Sequence, residues 1–213
     1  MERSRYNDLY LPGAHFPDAL QVTTNIDDAL IGAEDVLIVV PSHALRETLE
    51  RLKNSSQSIK HLTWATKGFE TETGLLPHQV VRQVMGTSLP MAVISGPTFA
   101  SEVAAGLPSA VSIASTTEAN ANRLAQAIST DTFRAYTAKD IVGVEVGGAT
   151  KNVLAIGAGI SDGLGFGANT RIAMITRGLI EMTRLGLALG AVSYTHLRAH
   201  ETDSYLVCRL LLE

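Results

Sequence analysis

The segment 147–152, with the sequence GGATKN, combines residue types suited to proton transfer. Two adjacent glycines at the start of a predicted helix allow a neighbouring backbone or a ligand to approach closely. Lys151 lies one turn further along, between apolar neighbours such as Val146 and Val153. Burial lowers a lysine pKa toward the range in which the amine exchanges a proton near neutral pH. Spacing alone makes Lys151 a candidate acid or base and leaves open the ordinary alternative, a solvated helix lysine.

A second lysine, Lys67, follows a predicted strand over residues 61–66 and precedes Gly68. Ligands of α/β proteins bind at the carboxyl ends of the strands. A cation at such a place suits an anionic substrate or the phosphate of a cofactor. A surface lysine that simply follows a strand fits the pattern equally well.

The segment 95–98, SGPT, is a strand-to-helix turn at another strand end. Its backbone N–H groups and the hydroxyl of Thr98 could hold a phosphate or a ribose. The alternative is a tight turn in which Thr98 caps the helix that follows. None of the three segments identifies a reaction by itself.

The first 140 residues alternate strand-like with helix-like segments, which predicts an α/β fold with a parallel sheet. Apolar runs predict buried strands over residues 36–40, 61–66, 91–94 and 110–114. Spacing predicts helices over residues 45–52, 76–85 and 118–128, the last with Thr117 as its N-cap. Three strand ends carry loops suited to binding, over residues 41–43, 67–68 and 95–98.

The pattern becomes helical near Gly143, so we place a domain boundary near residue 140 and divide the chain into residues 1–140 and 141–191. One apolar stripe at helical spacing consists of Ala149, Val153, Ile156 and Ile160. After a glycine-rich break over residues 163–167, Asn169 is expected to cap a second helix. The expected buried face of that helix consists of Ile172, Ile175, Leu179, Met182 and Leu185.

Composition indicates an ordinary globular protein, since the 213 residues are 46% hydrophobic and 18% charged. The net charge of −4 argues against nucleic acid as the main partner. No segment is expected to reach the roughly 18 apolar residues of a membrane span, and no signal peptide is expected. The single cysteine, Cys208, excludes an internal disulfide framework. We therefore expect a cytoplasmic protein.

The last residues, 192–213, resemble a peptide that arises when sequencing-adapter DNA is translated. We predict that this tail is not native to the protein. His196, His200 and Glu201 would otherwise suggest a metal site, and we do not expect one.

Taken together, the segments resemble the bacterial NAD(P)-dependent glycerol-3-phosphate dehydrogenase family, in family order and at family spacing from about residue 5 to residue 191. The matching segments are YLPG at 10–13, VVPSH at 39–43, WATKG at 64–68, ISGPTFA at 94–100, GGATKNV at 147–153, GAGISDG at 157–163, GFGANTR at 165–171 and TRG at 176–178. The resemblance implies a Rossmann-like sheet followed by the first helices of an all-α C-terminal domain. It also implies reduction of dihydroxyacetone phosphate to sn-glycerol 3-phosphate with NADPH or NADH, for phospholipid synthesis, by a homodimer.

The resemblance also assigns roles to individual residues. Lys151 would be the catalytic acid or base. The implied substrate-binding residues are Lys67, Gly96, Thr98 and Lys151. The implied cofactor-binding residues are Lys67, Ala100, Pro41 and Ser42. No residue is expected to hold a metal.

The chain departs from the family pattern at both ends. The family's glycine-rich G-x-G-x-x-G turn does not follow an early strand here, and in the family the first βα units would precede Met1. The family also continues beyond residue 191 with further helices that carry an Arg-Asn pair and an aspartate for the substrate. We therefore expect this chain to be an inactive fragment, with an exposed strand edge that favours aggregation.

Two alternative functions remain open on the sequence alone. One is another dehydrogenase with a Rossmann domain and a helical domain, of the hydroxyacid or phosphogluconate type. The other is a non-catalytic nucleotide-binding module. The preference for NADH or NADPH is left open as well.

Overall fold

The computed structural model describes residues 4–55 and 57–192 of the chain. A small hairpin of β1 (Tyr6–Asn7) and β2 (Leu11–His15) comes first, and the short helix α1 (Ile26–Leu30) follows it. The next elements are β3 (Asp35–Ile38), α2 (Ser42–Lys53), β4 (His61–Trp64), α3 (Pro77–Met85), β5 (Met91–Ser95), α4 (Ala100–Ala104), β6 (Ser109–Ser115), α5 (Glu118–Ile128) and β7 (Phe133–Ala138). Two long helices, α6 (Ile141–Gly163) and α7 (Ala168–Ala188), come last.

The larger sheet has the strand order β3-β4-β5-β6-β7. Strands β3, β4 and β5 are parallel, and β6 is parallel to β7, but β6 is antiparallel to β5. The predicted α/β fold is therefore confirmed, with the difference that the sheet is mixed and not wholly parallel. A parallel neighbour needs a crossover, usually through a helix. The connection over residues 96–108 contains only the five-residue helix α4, and the chain reverses its direction there.

The core of the sheet forms because apolar side chains recur at the period of their elements. Helix α2 buries Leu45, Leu49 and Leu52, which lie on one face. Strand β4 lies between two parallel neighbours. Leu62 and Trp64 on one face are fully inaccessible, and Thr63 on the other face is 4% exposed. Such burial on both faces is typical of a central parallel strand. The end of β4, which leads to Lys67, is therefore held firmly by packing.

The strand predicted over residues 36–40 is shorter and less buried than expected. It ends at Ile38, and the side chains of Leu37 and Val39 are 54% and 68% exposed. Within the described residues β3 is an edge strand, paired with β4 on one side. It therefore lacks the two neighbours that a continuous apolar run predicts.

The two predicted C-terminal helices are present, with a break over residues 164–167. The predicted cap of the second helix is wrong, because α7 has Gly167 at its N-cap position and no side-chain cap bond. The predicted cap of α5 is confirmed, since the side chain of Thr117 accepts a hydrogen bond from the backbone N–H of Asn120.

The apolar faces of α6 and α7 are buried only in part. Helix α6 is buried over residues 144–148, in the half that packs on β5 and β6. Its stripe residues Val153, Ile156 and Ile160 are exposed. On α7 the expected burial is confirmed for Met182 and is wrong for the ends of the face, Ile172 and Leu185. The sheet covers only the first part of α6, so the distal apolar positions lie outside that contact.

Helix α6 is long and apolar enough to cross a membrane, which contradicts the expectation that no segment reaches this threshold. It is the one such helix among residues 4–55 and 57–192. The criterion uses length and composition alone, and core helices of soluble proteins also meet it. The packed half of α6 carries the buried carboxylate of Glu145.

Asp140 links the beginning of α6 to the residues after α7. It is 5% exposed, and its carboxylate accepts from the N–H of Gly143 at 2.9 Å and from the N–H of Val192 at 2.8 Å. Asp140→Ala should lower the free energy of unfolding by about 2 kcal/mol, because it removes the N-cap and leaves both donors without an acceptor. Asp140→Asn keeps one oxygen and should lose less. Urea unfolding tests this, and equal losses in the two variants would contradict it.

Candidate active site

Two lysine side chains meet at one backbone carbonyl. The Nζ atom of Lys67 donates to the oxygen of Gly96 at 3.1 Å, and the Nζ atom of Lys151 donates to the same oxygen at 3.3 Å. Lys67 follows β4, Gly96 follows β5, and Lys151 lies on α6. The fold thus brings together three residues that are far apart in the sequence.

The chain turns sharply just after Lys67. The hydroxyl of Thr66, a buried residue, donates to the carbonyl of Val40 at 2.8 Å. Gly68 then has a φ of +102°, which other residues rarely adopt. The Oγ atom of Ser42 lies 3.5 Å from the place that a Cβ of Gly68 would occupy. The loops after β3 and β4 are therefore neighbours, as ligand-binding loops of α/β sheets usually are.

Helix α6 reaches the end of β5 because Gly148 has no side chain. A Cβ at this position would lie 2.8 Å from the Oγ atom of Ser95 and 3.6 Å from the Cγ atom of Lys67. Lys151 is three residues further on, about one helical turn, so its amine reaches the same strand end. The predicted close approach at the glycine pair is confirmed for Gly148. The predicted position of the pair at the start of the helix is wrong, because α6 begins at Ile141.

Gly96 is in close contact with β6. A Cβ at this position would lie 2.6 Å from the carbonyl oxygen of Ala110 and 2.9 Å from the Cα atom of Val111. Both are backbone atoms of a strand that is paired with β5 through Ser95 and Ser112. They cannot move without separating the two strands. The position of the shared carbonyl therefore depends on a glycine.

The electrostatics of the site follow from these two amines. Desolvation by burial lowers the pKa of Lys67. A lysine ammonium carries three N–H donors, and each lysine directs one to Gly96. The arrangement can attract an anionic group, and it can stabilise negative charge that develops on an oxygen atom.

The other predicted site residues lie around this point. Thr98 is partly buried two residues beyond Gly96, and Ala100 is exposed at the first position of α4. Pro41 is exposed at the N-cap position of α2, and Ser42 is the next residue. The alternative in which Thr98 caps α4 is wrong, because Phe99 occupies the N-cap position and no side chain caps the helix. His196, His200 and Glu201 lie outside the described residues.

Two further polar residues lie near the site: Ser95, which belongs to a predicted binding loop but had no role assigned, and Glu145, which was not predicted. Ser95 is 3% exposed, and its Oγ atom is buried without a hydrogen-bond partner in the described part of the chain. Glu145 is 4% exposed and accepts a hydrogen bond from Trp64 at 2.9 Å. A single acid inside the apolar run VGVEVGG is a signal that could have identified Glu145.

An ion pair holds the loop that follows Lys67. Arg46 donates from Nε and from a terminal nitrogen to the two oxygens of Glu70, each at 2.8 Å. The hydrogen bond from Arg46, supported by one from Thr73, lowers the pKa of Glu70 against a smaller opposing effect of burial. The ionised form is thus the one that the folded state favours.

This pair should make stability depend on pH in the acid range. The pKa of Glu70 is lower in the folded chain, so its contribution is complete above the unfolded value of about 4.3 and is lost as pH falls through the folded value. Glu70→Gln should remove this part of the acid slope. Partial exposure limits the effect to less than about 1 kcal/mol. Urea unfolding near neutral pH and near pH 3 measures it, and an unchanged acid slope would contradict the prediction.

Comparison with known proteins gives the family of this chain. The family model described as NAD-dependent glycerol-3-phosphate dehydrogenase N-terminus matches residues 1–121, and the model of the C-terminus matches residues 140–208. Glycerol-3-phosphate dehydrogenase [NAD(P)+] of Pectobacterium carotovorum is 51% identical over 192 residues, which are 90% of this chain and 57% of that protein. The Shigella boydii enzyme of the same name is 51% identical over 98% of this chain and 62% of that protein.

Solved structures agree with these matches. The crystal structure of glycerol-3-phosphate dehydrogenase from Coxiella burnetii has a TM-score of 0.85 at 44% identity, over 90% of this chain and 58% of that one. The structure of DsGPDH of Dunaliella salina has a TM-score of 0.79 at 26% identity, over 87% of this chain and 32% of that one. The chain spans 57% to 62% of the length of the two bacterial relatives. Its sequence and its Rossmann-like fold place it in the NAD-dependent glycerol-3-phosphate dehydrogenase family.

Proposed function

We propose that the protein reduces dihydroxyacetone phosphate to sn-glycerol 3-phosphate with NADPH or NADH, and so supplies the glycerol backbone of phospholipids. The main support is the meeting of Lys67 and Lys151 at the carbonyl of Gly96, in a chain of this family. Reduction of a phosphorylated ketone needs a cation for the anionic substrate and a proton donor for the ketone oxygen. The two amines can meet both needs.

Lys151 is the acid and the base of this reaction. In the reductive direction its ammonium stabilises the negative charge that builds on the ketone oxygen, and it then donates a proton to that oxygen. In the reverse direction the neutral amine accepts the hydroxyl proton. Lys67 attracts the substrate phosphate or the cofactor, and Gly96 and Thr98 complete the substrate site. Proton transfer from a positioned side chain is typically worth about 10²–10⁴ in rate.

The loops after β3, β4 and β5 fit a dinucleotide. Pro41 and Ala100 are exposed at this edge of the sheet, and Gly68 has no side chain that would fill it. Lys67 gives the edge a positive charge. We assign the cofactor contacts to Lys67, Ala100, Pro41 and Ser42. When bound, the nicotinamide supplies the hydride for the ketone carbon.

The experiment follows oxidation of NADPH by the product of the gene that encodes this chain, with the 213-residue chain measured beside it. Oxidation of NADPH in the presence of dihydroxyacetone phosphate is compared with reduction of NADP+ in the presence of a 3-hydroxy acid or of 6-phosphogluconate. We expect the gene product to consume NADPH only with dihydroxyacetone phosphate and to form sn-glycerol 3-phosphate. NADPH oxidation that does not require dihydroxyacetone phosphate, or no oxidation with it, would overturn the proposal. Turnover of a 3-hydroxy acid would assign the protein to the hydroxyacid dehydrogenases.

The proposal includes the organisation of the protein. Residues 1–140 form the cofactor domain, residues 141–191 begin the substrate domain, and residues 192–213 are not native. The last part of this proposal stands against the match of the C-terminal family model, which extends to residue 208. The N-cap of α6 at Asp140 supports the first boundary. The protein acts in the cytoplasm as a homodimer and does not bind nucleic acid. Sedimentation of the gene product tests the dimer, and the DNA sequence downstream of codon 191 tests the tail.

A further inference from the structure

We infer that Glu145 is a positioning residue, which holds the two lysine-bearing segments together through Trp64 and His78. These three residues are called the Glu145 clamp below. The inference rests on the proposed function, since it explains how Lys67 and Lys151 are placed relative to each other.

The Glu145 clamp is a buried and well-satisfied polar group. The Oε1 atom of Glu145 accepts from the indole Nε1 of Trp64 at 2.9 Å and from the backbone N–H of His78 at 2.8 Å. The Nδ1 atom of His78 lies 2.5 Å from the Oε2 atom. Glu145 is 4% exposed, Trp64 is 0% exposed and His78 is 7% exposed. A buried acid persists only when its oxygens have such partners.

The clamp joins the same two segments that meet at Gly96. Trp64 is the last residue of β4, three residues before Lys67. Glu145 precedes Lys151 by six residues on α6, which is about 9 Å along the helix axis. The two segments are thus connected twice, at the clamp and at the carbonyl of Gly96. Helix α6 also packs on β5 and β6, and these two separated polar contacts add to that packing in setting its orientation at the lysines.

His78 adds a third element to the same carboxylate. It is the second residue of α3, where backbone N–H groups have no partner within the helix. Both its backbone N–H and its Nδ1 atom lie within hydrogen-bond distance of the Glu145 carboxylate. One carboxylate therefore fixes β4, α3 and α6 at a common point. Hydrogen bonds to charged groups are the stronger ones, so few other side chains could replace it.

The test uses four variants of the gene product. Trp64→Phe removes the indole donor, and Glu145→Met removes both acceptors at similar volume. Glu145→Gln keeps an oxygen for Trp64 and for the N–H of His78. Val80→Ala is the matched control, because Val80 is 1% exposed on α3 and outside the clamp, so it should lower the melting temperature without moving the lysines.

Competitive acetylation of lysines, resolved by peptide mass spectrometry, gives a readout that does not need enzyme activity. Lysine reactivity depends on the surroundings of the amine, and the exposed Lys60 serves as the internal reference. We expect several-fold faster labelling of Lys67 and Lys151 in Trp64→Phe and Glu145→Met. Val80→Ala should leave these rates unchanged, and Glu145→Gln should lie near the wild type.

Kinetics separate positioning from stability. A shift of the amines by a fraction of an ångström should lower kcat about tenfold, with the KM for NADPH little changed. Wild-type labelling rates in both clamp variants would overturn the inference. So would a rise in labelling in Val80→Ala as large as that in the clamp variants, or a normal kcat in Glu145→Met. A wild-type protein without dihydroxyacetone phosphate reduction would refute the proposed function, whereas the labelling rates would still decide the role of Glu145.

Discussion

Replacing Lys151 by methionine should lower kcat for dihydroxyacetone phosphate reduction by about 10²–10⁴, the usual value of a positioned proton-transfer group. Methionine keeps an unbranched apolar side chain of similar length and removes only the amine. The hydrogen bond to the Gly96 carbonyl is lost with it. Because the cofactor contacts are assigned to the loops after β3, β4 and β5, the affinity for NADPH should stay nearly unchanged. Steady-state kinetics and a fluorescence titration with NADPH measure the two quantities.

Lys139→Met is the matched control for this substitution. The Lys139 side chain is 86% exposed, and its ion pair with Glu118 at 3.7 Å is open to solvent. Exposed ion pairs contribute little, so this variant should keep the wild-type kcat. If Lys151→Met lost NADPH affinity and kcat to the same degree, Lys151 would have a structural role and the proposed mechanism would be wrong.

Apolar spacing and capping residues predicted the helices and strands that are long enough to show a regular pattern. Helix α5 has a side-chain cap at Thr117 and a regular apolar face, so its bounds agree with the prediction. Helix α2 begins three residues before the predicted start, because Pro41 occupies its N-cap position without a side-chain cap bond. Helices α1 and α4 have five residues each, too few for a helical period to appear in the sequence.

The sequence pattern within a strand could not predict the direction in which the strand runs. The residues of β6 indicate a strand, but nothing within residues 109–115 shows which way it runs beside β5. Its direction depends on the length of the connection and on pairing partners far along the chain. For the same reason the edge position of β3, and the exposure of Leu37 that follows from it, could not be predicted.

In the candidate site too, the sequence predicted local features and could not predict contacts between distant residues. The sequence identified Lys67, Gly96 and Lys151 separately, each from its place after a strand or in a helix. Their common contact joins residues 29 and 55 positions apart, and spacing alone cannot predict it. Glu145 is different, because one acid in an apolar run already indicates a buried partner. The structure adds which partners these are, namely Trp64 and His78.

Gly96→Ala should be the most damaging substitution that leaves every functional group of the site in place. The new Cβ would lie 2.6 Å from the carbonyl oxygen of Ala110, so β5 and β6 must separate at this point. Forcing an extra carbon into a packed interior typically costs about 1–3 kcal/mol of stability. The carbonyl that receives both lysines moves with it, and a displacement of about 1 Å can lower kcat about 10²-fold. Urea unfolding and steady-state kinetics measure the two effects.

The unfolding measurement is informative because it is made without substrate. If Gly96 served only as a contact for the substrate, Gly96→Ala would lower kcat and leave the free energy of unfolding unchanged. Because its lack of a side chain also allows β5 to pack closely against β6, we expect both kcat and the free energy of unfolding to fall. Gly159→Ala on α6 is the control, since nothing lies within 4 Å of its Cβ position. Alanine favours a helix over glycine by about 1 kcal/mol, so this variant should be at least as stable as the wild type. A loss confined to kcat in Gly96→Ala would therefore limit the role of Gly96 to substrate contact.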